Sequence, residues 1–387
     1  MATALINEKI LTWARVRAGF SISELVEKIN KKYELWEKGE AKPTFNQAQE
    51  VAKKLHIPFG YLYLNQPPYI QKMTADLRTF KDHEKHEYSL ELQDVMSDAI
   101  RKQDWYKEFL VQRGAEHLEF VGKFSIKSPI QDVADDIIRT LNLDVESRKT
   151  INKDYFLSRM TERAEDAGII VIRNSKVGLN THRPLDVEEF RGFVLTDPIV
   201  PLVFVNANDF VAGQIFTLFH ELAHIWIGEA GVSNAGMLNK SEYSKTEQFC
   251  NSVAAEVLVP HREFAECWRQ TDGDFENHVE ELTKIFKVSS VVIARRALDY
   301  KFVRREEFFN YYRKLQEIWR KTKKKQKEKE GGPSFRNTFP IYNSKTFTDT
   351  VCRAVYSGEL LMRDGMSLLG VAKSKAIENY ATESGLI

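Results

Sequence analysis

A six-residue motif inside an apolar segment constrains this chain more than any other feature. Residues 219–224 read Phe-His-Glu-Leu-Ala-His, so His220 and His224 stand four residues apart, on one face of a helix. Two imidazoles at that spacing can bind one zinc ion, and Glu221 between them can take a proton from the zinc-bound water. The segment 210–227 is apolar almost all round, which predicts a buried helix. Because buried histidines need partners, we favour a metal site over satisfied core histidines.

A third ligand has to come from another part of the chain. A longer motif with a third histidine is excluded, because the chain has Ile227 and Ala230 where that motif requires glycine and histidine. The segment 244–260 predicts a helix that a proline ends, with Glu247 in its first turn. Together with the two histidines, Glu247 would leave one zinc position open for water, as catalytic sites do.

Alternatives remain open for this second helix. Glu247 also completes a Ser-x-x-Glu capping box with Ser244, which would give it a structural role. His261, just past the helix, is the rival third ligand. The sequence favours Glu247, since zinc with only two protein ligands would bind poorly. Asn251, one helical turn after Glu247, is a candidate for supporting a ligand through a hydrogen bond.

Composition and charge exclude several classes of protein. The chain has 387 residues and a net charge of +1, so we expect two or three domains and no bulk attraction to nucleic acids or membranes. Its three cysteines are scattered and form neither a Cys-x-x-Cys pair nor a disulfide framework, which suits a reducing cytosol. The sequence shows no signal-peptide pattern and no apolar run of membrane-spanning length. We therefore expect a cytoplasmic protein with no membrane partner.

The pattern along the chain predicts four parts. Three short runs rich in β-branched residues, at 169–172, 191–195 and 202–205, predict a small sheet that packs on the motif helix. The segment 206–209 (Asn-Ala-Asn-Asp) would supply capping residues for that helix. The lysine-rich run 320–330 favours a solvated helix end over a nucleic-acid patch. The predicted parts are a compact helical module at 1–68, a helical connector region at 69–165, a metal-site domain at 166–300, and, at 301–387, a basic helix, a Gly-Gly-Pro linker and a small helical module.

The first module resembles the lambda-repressor-like, XRE-type helix-turn-helix. The Trp36-Glu37-Lys38-Gly39 and Pro43-Thr44 segments match the landmarks of that domain. Between Leu25 and Trp36 the usual pattern has about three more residues, which hold the turn and the start of the recognition helix. We therefore expect the fold without sequence-specific reading of the DNA major groove. Docking of a protein is the alternative use of such a module.

From Glu189 to Pro260 the chain resembles the ImmA/IrrE family of metallo-endopeptidases. The segments that carry the resemblance are 189–193, 216–224 and 247–260. The resemblance implies an α+β, predominantly helical protein, in which the lambda-repressor-like domain precedes a zincin-like peptidase domain with a small β-sheet. It also implies Zn²⁺ as cofactor, with His220, His224 and Glu247 as ligands and Glu221 as the general base.

The resemblance implies a protein substrate, often a DNA-binding repressor that is cut in response to stress or phage signals. Members of this fused type also resemble components of toxin–antitoxin operons, so the expected partner is a repressor or a toxin from the same operon. The rival hypothesis is a non-enzymatic helix-turn-helix antitoxin or transcription regulator that keeps zinc for structure and binds DNA or a toxin.

Two further expectations concern the substrate. Arg191 is a candidate for steadying the oxyanion, by its charge and motif position, and a structural ion pair is the alternative. Residues 190–196 or 202–206 are candidates for an edge strand that pairs with an extended substrate.

Overall fold

The computed structural model describes residues 3–67, 88–143, 148, 151–229, 231–233, 245–323 and 338–387, apart from the side chains of 231–233, 316 and 318–323. The chain divides into two compact units, Met1–Asp94 and Val95–Ile387. Ser244, residues 69–87 of the predicted connector, the Gly-Gly-Pro linker and most of the lysine-rich run lie outside the described residues. The four-part division of the chain stays a prediction.

Unit 1 contains four short helices and a 3₁₀ turn. The order is α1 (Glu8–Arg17), α2 (Ile22–Lys28), α3 (Tyr33–Glu37), α4 (Phe45–Lys54) and the 3₁₀ turn Phe59–Tyr63. The sequence predicted α1, α2 and α4 from their apolar spacing. Capping boxes begin two of them, Ser21 with Glu24 at α2 and Thr44 with Gln47 at α4. Each box satisfies backbone N–H groups that the first helical turn cannot pair itself. One continuous hydrophobic core joins the helices.

The third helix of unit 1 is short and partly buried. It has five residues, and both of its aromatic side chains, Tyr33 and Trp36, lie in the core. Glu37 is tied to Arg15 of α1, with 2.8 Å between the guanidinium and the carboxylate. The exposed side chains of α3 are Glu34 and Leu35. A carboxylate and an aliphatic group are a poor pair for contacting a polyanion.

We therefore expect the full chain to bind DNA only weakly and without sequence preference. Fluorescence anisotropy with its own promoter fragment and a scrambled fragment, at physiological salt, should give similar dissociation constants of about 10⁻⁶ M or weaker. Nanomolar binding to the promoter alone would contradict this prediction and would favour the regulator hypothesis.

From Leu90 onwards the described part of the chain is predominantly helical, as the sequence predicted for an α+β protein. In the described part of the chain, each helix is either too short or too polar to cross a membrane. The helices are α5 (Leu90–Val111), α6 (Ile130–Thr140), α7 (Lys153–Asp166), α8 (Val211–Ile227), α9 (Lys245–Leu258), α10 (His261–Gln270), α11 (Phe275–Phe286), α12 (Ser290–Asp299), α13 (Arg305–Lys323), α14 (Lys345–Tyr356), α15 (Met362–Leu368) and α16 (Ser374–Glu383).

The sheet has four strands where the sequence predicted three. They are β1 (Ile170–Asn174), β2 (Gly192–Leu195), β3 (Leu202–Asn206) and β4 (Gly231–Ser233), in the spatial order β1-β3-β2-β4. The β1–β3 pair is parallel, and β2 is antiparallel to both β3 and β4. The prediction that residues 202–206 form an edge strand for the substrate is therefore wrong, because β3 lies inside the sheet. Along 192–194, β2 is also covered, by β4.

Helix α8 lies at the centre of the core of unit 2. All of its residues except Val211 are buried, and they pack with apolar residues of the sheet and of α6, α7 and α9. The Trp226 indole N–H donates to Asp136 of α6 at 3.0 Å, and its ring stacks on Phe120 with 4.5 Å between centroids. Two helices of the predicted connector region, α6 and α7, thus help to hold α8 in place.

The start of α8 differs from the sequence prediction. Phe210 is the N-cap and makes no side-chain capping bond, so the prediction that Asn206 to Asp209 cap the helix is wrong. The Asn206 side chain accepts from the backbone N–H of Asn208, and Asp209 accepts from the N–H of Phe210. These hydrogen bonds lie within the turn before the helix, and the Asp209 carboxylate lies beside Gly213 in the first helical turn.

The end of α8 is fixed by a close contact between two glycines. Gly228 follows the helix with φ 72°, the left-handed conformation that glycine adopts without strain. A Cβ atom at Gly228 would lie 3.0 Å from the Cα of Gly122. The Gly122 N–H donates to the carbonyl of Ile225 at 2.9 Å. The last turn of α8, which carries His224, is therefore held by a neighbouring segment.

The C-terminal helices of unit 2 pack on α5 and α7. Phe347 of α14 makes edge contacts with the rings of Trp105 and Tyr106 on α5, at 5.7 and 5.8 Å. The buried Glu165 carboxylate of α7 accepts hydrogen bonds from the backbone N–H groups of Lys345 and Thr346, at 3.0 and 3.4 Å. These groups belong to the first turn of α14, where a carboxylate is stabilising.

Replacing Glu165 with alanine should loosen this packing. The substitution leaves two backbone N–H groups of the first turn of α14 without their carboxylate acceptor, and we expect a loss of about 1–2 kcal/mol in the free energy of unfolding. Urea denaturation of the full chain measures the loss. Glu162→Ala, at an exposed position of the same helix, is the matched control and should change stability by less than about 0.5 kcal/mol. Equal effects of the two substitutions would contradict the capping role.

Candidate metal centre

Helices α8 and α9 bring three predicted ligands to one point. Glu247 presents one carboxylate oxygen to His220 Nε2 at 3.1 Å and the other to His224 Nε2 at 3.2 Å. The two Nε2 atoms are 3.2 Å from each other. Both histidines are buried. In the described part of the chain, no other residues form such a group of potential metal ligands.

The three atoms have the spacing that a tetrahedral metal ion requires. Zinc binds histidine and carboxylate at about 2.0–2.1 Å, which places neighbouring ligand atoms of a tetrahedron about 3.3 Å apart. The observed triangle has edges of 3.1 to 3.2 Å. Without a metal, imidazole protons would have to form hydrogen bonds between all three pairs of these atoms. A central cation contacts all three atoms at once. The donor set of two nitrogens and one carboxylate therefore fits zinc and leaves one position open.

The charges of these groups suit a cation. Burial alone would raise the pKa of Glu247, but the hydrogen bonds and charges of His220 and His224 hold that pKa well below its usual range. Burial lowers the pKa of His220, and the hydrogen bond and charge of Glu247 outweigh it, so the pKa is raised. The carboxylate is thus ionised at neutral pH, as a ligand must be.

His261, the rival third ligand, lies elsewhere. It is the first residue of α10, where its backbone N–H donates to Glu256 at 3.0 Å. Its ring packs on Tyr300 with 4.2 Å between centroids. The structure therefore brings Glu247, and not His261, to the histidine pair.

Asn251 lies where the sequence predicted a supporting residue. It follows Glu247 by one turn of α9, and its side chain adds to the effect of Glu247 in raising the pKa of His220. A hydrogen bond that orients this imidazole stays a prediction.

Arg191 forms the ion pair that the sequence left open as its alternative role. Its Nη1 lies 3.5 Å from Asp209 Oδ2. Its backbone carbonyl accepts from the N–H of Asn206 at 2.8 Å. Both contacts tie the start of β2 to the turn that precedes α8, whereas the oxyanion role stays a prediction.

Glu221 is fully buried and faces β2. A Cβ atom built on Gly192 would lie 3.0 Å from Glu221 Oε1, 2.5 Å from Thr217 and 2.8 Å from the carbonyl oxygen of Phe204. Only glycine leaves room here for the carboxylate beside the strand. Gly192 is thus a residue of the site that the sequence analysis missed. The signal was a glycine inside a strand, which often marks a close approach of another group.

Cys250 is close to the site but is poorly suited to binding the metal. It follows Glu247 by three residues and is fully buried. Burial and the nearby Glu247 carboxylate raise the pKa of its thiol. Because thiols bind metals as thiolates, this environment disfavours Cys250 as a ligand.

The comparison with protein families agrees with this geometry. Residues 164–298 match the IrrE N-terminal-like domain of the Peptidase_M78 family. This segment is an IrrE N-terminal-like, metallopeptidase-family domain. It runs from the end of α7 to α12 and includes the sheet and the three clustered side chains. The resemblance to the ImmA/IrrE family is thereby confirmed for these residues, and the family implies a metal cofactor, usually zinc.

The C-terminal helices match a second family. Residues 343–383, which include α14 to α16, match a domain of unknown function, DUF8813. Searches of the curated proteins and of the solved structures found no match to the chain.

Replacing Glu247 with alanine should remove most of the bound metal. Loss of one of three protein ligands should weaken zinc binding by about 100-fold or more, since even changes to supporting residues cost 10–100-fold. Competition with a chromophoric chelator measures the affinity. Gln248→Ala, at the next and exposed position of α9, should bind zinc as the unmodified chain does. Unchanged affinity in the Glu247→Ala variant would remove Glu247 from the site.

Proposed function

We propose that this protein is a zinc-dependent endopeptidase that cleaves a protein partner. The observation that carries the proposal is the triangle of His220, His224 and Glu247, inside a domain of a metallopeptidase family. Three protein ligands with an open fourth position are typical of catalytic zinc, whereas structural zinc sites are closed by four protein ligands.

The residues of the site divide the chemistry between them. His220, His224 and Glu247 would hold the zinc, which when bound supplies Lewis-acid chemistry that activates water and polarises the scissile carbonyl. Glu221 takes the proton from the attacking water and passes it to the leaving amine. Asn251, one helical turn after Glu247, would orient the His220 ring. The apolar surroundings of α8 keep bulk water away and so strengthen each of these interactions.

The proposed substrate is a protein that unit 1 helps to recruit, such as a DNA-binding repressor or an operon partner. The five-residue α3 supports protein docking over groove reading as the role of unit 1. Cleavage of such a partner would place the protein in stress, phage or toxin–antitoxin regulation, and in control of transcription without direct DNA recognition.

The proposed mechanism predicts that Glu221→Gln abolishes cleavage while zinc stays bound. Glutamine is nearly isosteric with glutamate, but its amide cannot take a proton from water, so we expect a rate loss of about 10²–10⁴-fold. Co-expression of the chain with its operon partner, followed by mass spectrometry of the partner, measures cleavage. Glu266→Gln, at an exposed position of α10, is the control and should cleave at the unmodified rate.

Two outcomes would contradict the proposal. Cleavage that survives in the Glu221→Gln variant would remove Glu221 from the role of base. A partner that stays intact with every variant, but is still bound and silenced, would show that the protein acts on it by binding.

A further inference from the structure

Three segments of unit 1 contain no charged side chain. They are residues 3–7, 43–49 and 57–67, in a chain of which 29% of the residues are charged. At that frequency each segment would hold about one to three charged side chains. The segments are far apart in the sequence, so the absence of charge from all three becomes informative if they meet in the fold.

Backbone hydrogen bonds bring the three segments together. The Ala4 N–H donates to the carbonyl of Pro43 at 2.9 Å, which joins the first segment to the second. The Asn7 N–H donates to the carbonyl of Leu62 at 2.7 Å, and the Asn7 side-chain amide donates to that of Leu64 at 2.9 Å. These two bonds join the first segment to the third. The uncharged segments therefore lie next to one another on unit 1.

Large apolar side chains of these segments are exposed. Leu5 is 67% exposed, Phe45 46%, Tyr63 42% and Leu64 37%. The rings of Phe45 and Tyr63 make edge contacts with the ring of Phe59, at 4.8 and 5.3 Å between centroids. We call the surface formed by these five residues the uncharged face. Exposed apolar groups in mutual contact mark an interaction surface, whereas single exposed apolar residues do not.

The exposed polar side chains of the same segments include four amides, those of Asn46, Gln49, Asn65 and Gln66. An amide both donates and accepts hydrogen bonds, so it can pair with an amide of an identical surface. Lysine and glutamate cannot pair with themselves in this way. An apolar, aromatic centre without charges and a polar rim are typical of protein interfaces, and homodimer interfaces are the more apolar ones.

We propose that two copies of this chain associate through the uncharged face of unit 1. In a twofold dimer the same surface meets itself, so a charge near the axis would face a like charge. The segments that form the uncharged face hold no such charge, and their amides can pair across the axis. The partner is therefore a second copy, and each assembly carries two metal-site domains. The inference is independent of the proposed peptidase activity.

Sedimentation velocity of the full chain tests the association. Over a series from about 0.1 to 100 µM, the weight-average mass should rise from 44.8 kDa toward twice that value. Because the uncharged face offers no ion pairs, the dissociation constant should change less than about threefold between about 50 and 500 mM salt.

Two substitutions place a charge on the uncharged face. Leu5→Glu and Phe45→Glu should each raise the dissociation constant about 30-fold or more, because two carboxylates would have to be buried in the dimer. Both side chains are exposed, and a carboxylate at the first residue of α4 suits the helix dipole. Far-UV circular dichroism checks that the variants keep their helices. Val16→Glu, at a 59% exposed position in the last turn of α1, is the control and should dimerise as the unmodified chain does.

Three results would overturn the inference. The first is an unmodified chain that stays monomeric over the whole series. The second is a dimer that both Leu5→Glu and Phe45→Glu leave intact, or that Val16→Glu weakens equally, because the contact would then lie elsewhere. The third is a monomer that binds its operon partner and loses that binding in the Leu5→Glu variant, which would assign the uncharged face to a different protein. None of these results bears on zinc binding or on cleavage.

Discussion

The structure depends on one packing interaction, the contact of α8 with α9 that places two imidazoles against one carboxylate. Buried polar groups of this kind destabilise a protein unless each has a partner. Here the three candidate ligand atoms form a triangle with edges of 3.1 to 3.2 Å, so a single cation would satisfy all of them. The apolar residues around α8 supply the rigid core that keeps the helices in this position.

The rest of unit 2 serves that contact in separate ways. The sheet covers one side of α8 and brings Gly192 beside Glu221. The segment around Gly122 fixes the last turn of α8, and α6 holds Trp226 through Asp136. Helix α12 lines a cleft together with α6 and α9. The cluster of possible metal ligands and the buried Glu221 thus follow from a small number of packing contacts.

Much of this arrangement could be predicted from the sequence, because helical periodicity determines which side chains share a face. His220, His224 and Glu247 were found in this way, and the structure brings them together. Contacts between distant segments were not predictable. The three-residue β4 has no periodic signal, the polar residues before α8 bond within their own turn, and the need for glycine at 192 arises only when α8 packs on β2.

The central claim is that two histidines and one carboxylate hold a metal whose remaining position is open to water. X-ray absorption at the zinc edge of the zinc-loaded full chain tests it most directly. The account predicts a shell of nitrogen and oxygen atoms alone, at about 2.0–2.1 Å, with the outer scattering of two imidazoles. A sulfur atom at about 2.3 Å would show that Cys250 binds the metal and would contradict the account.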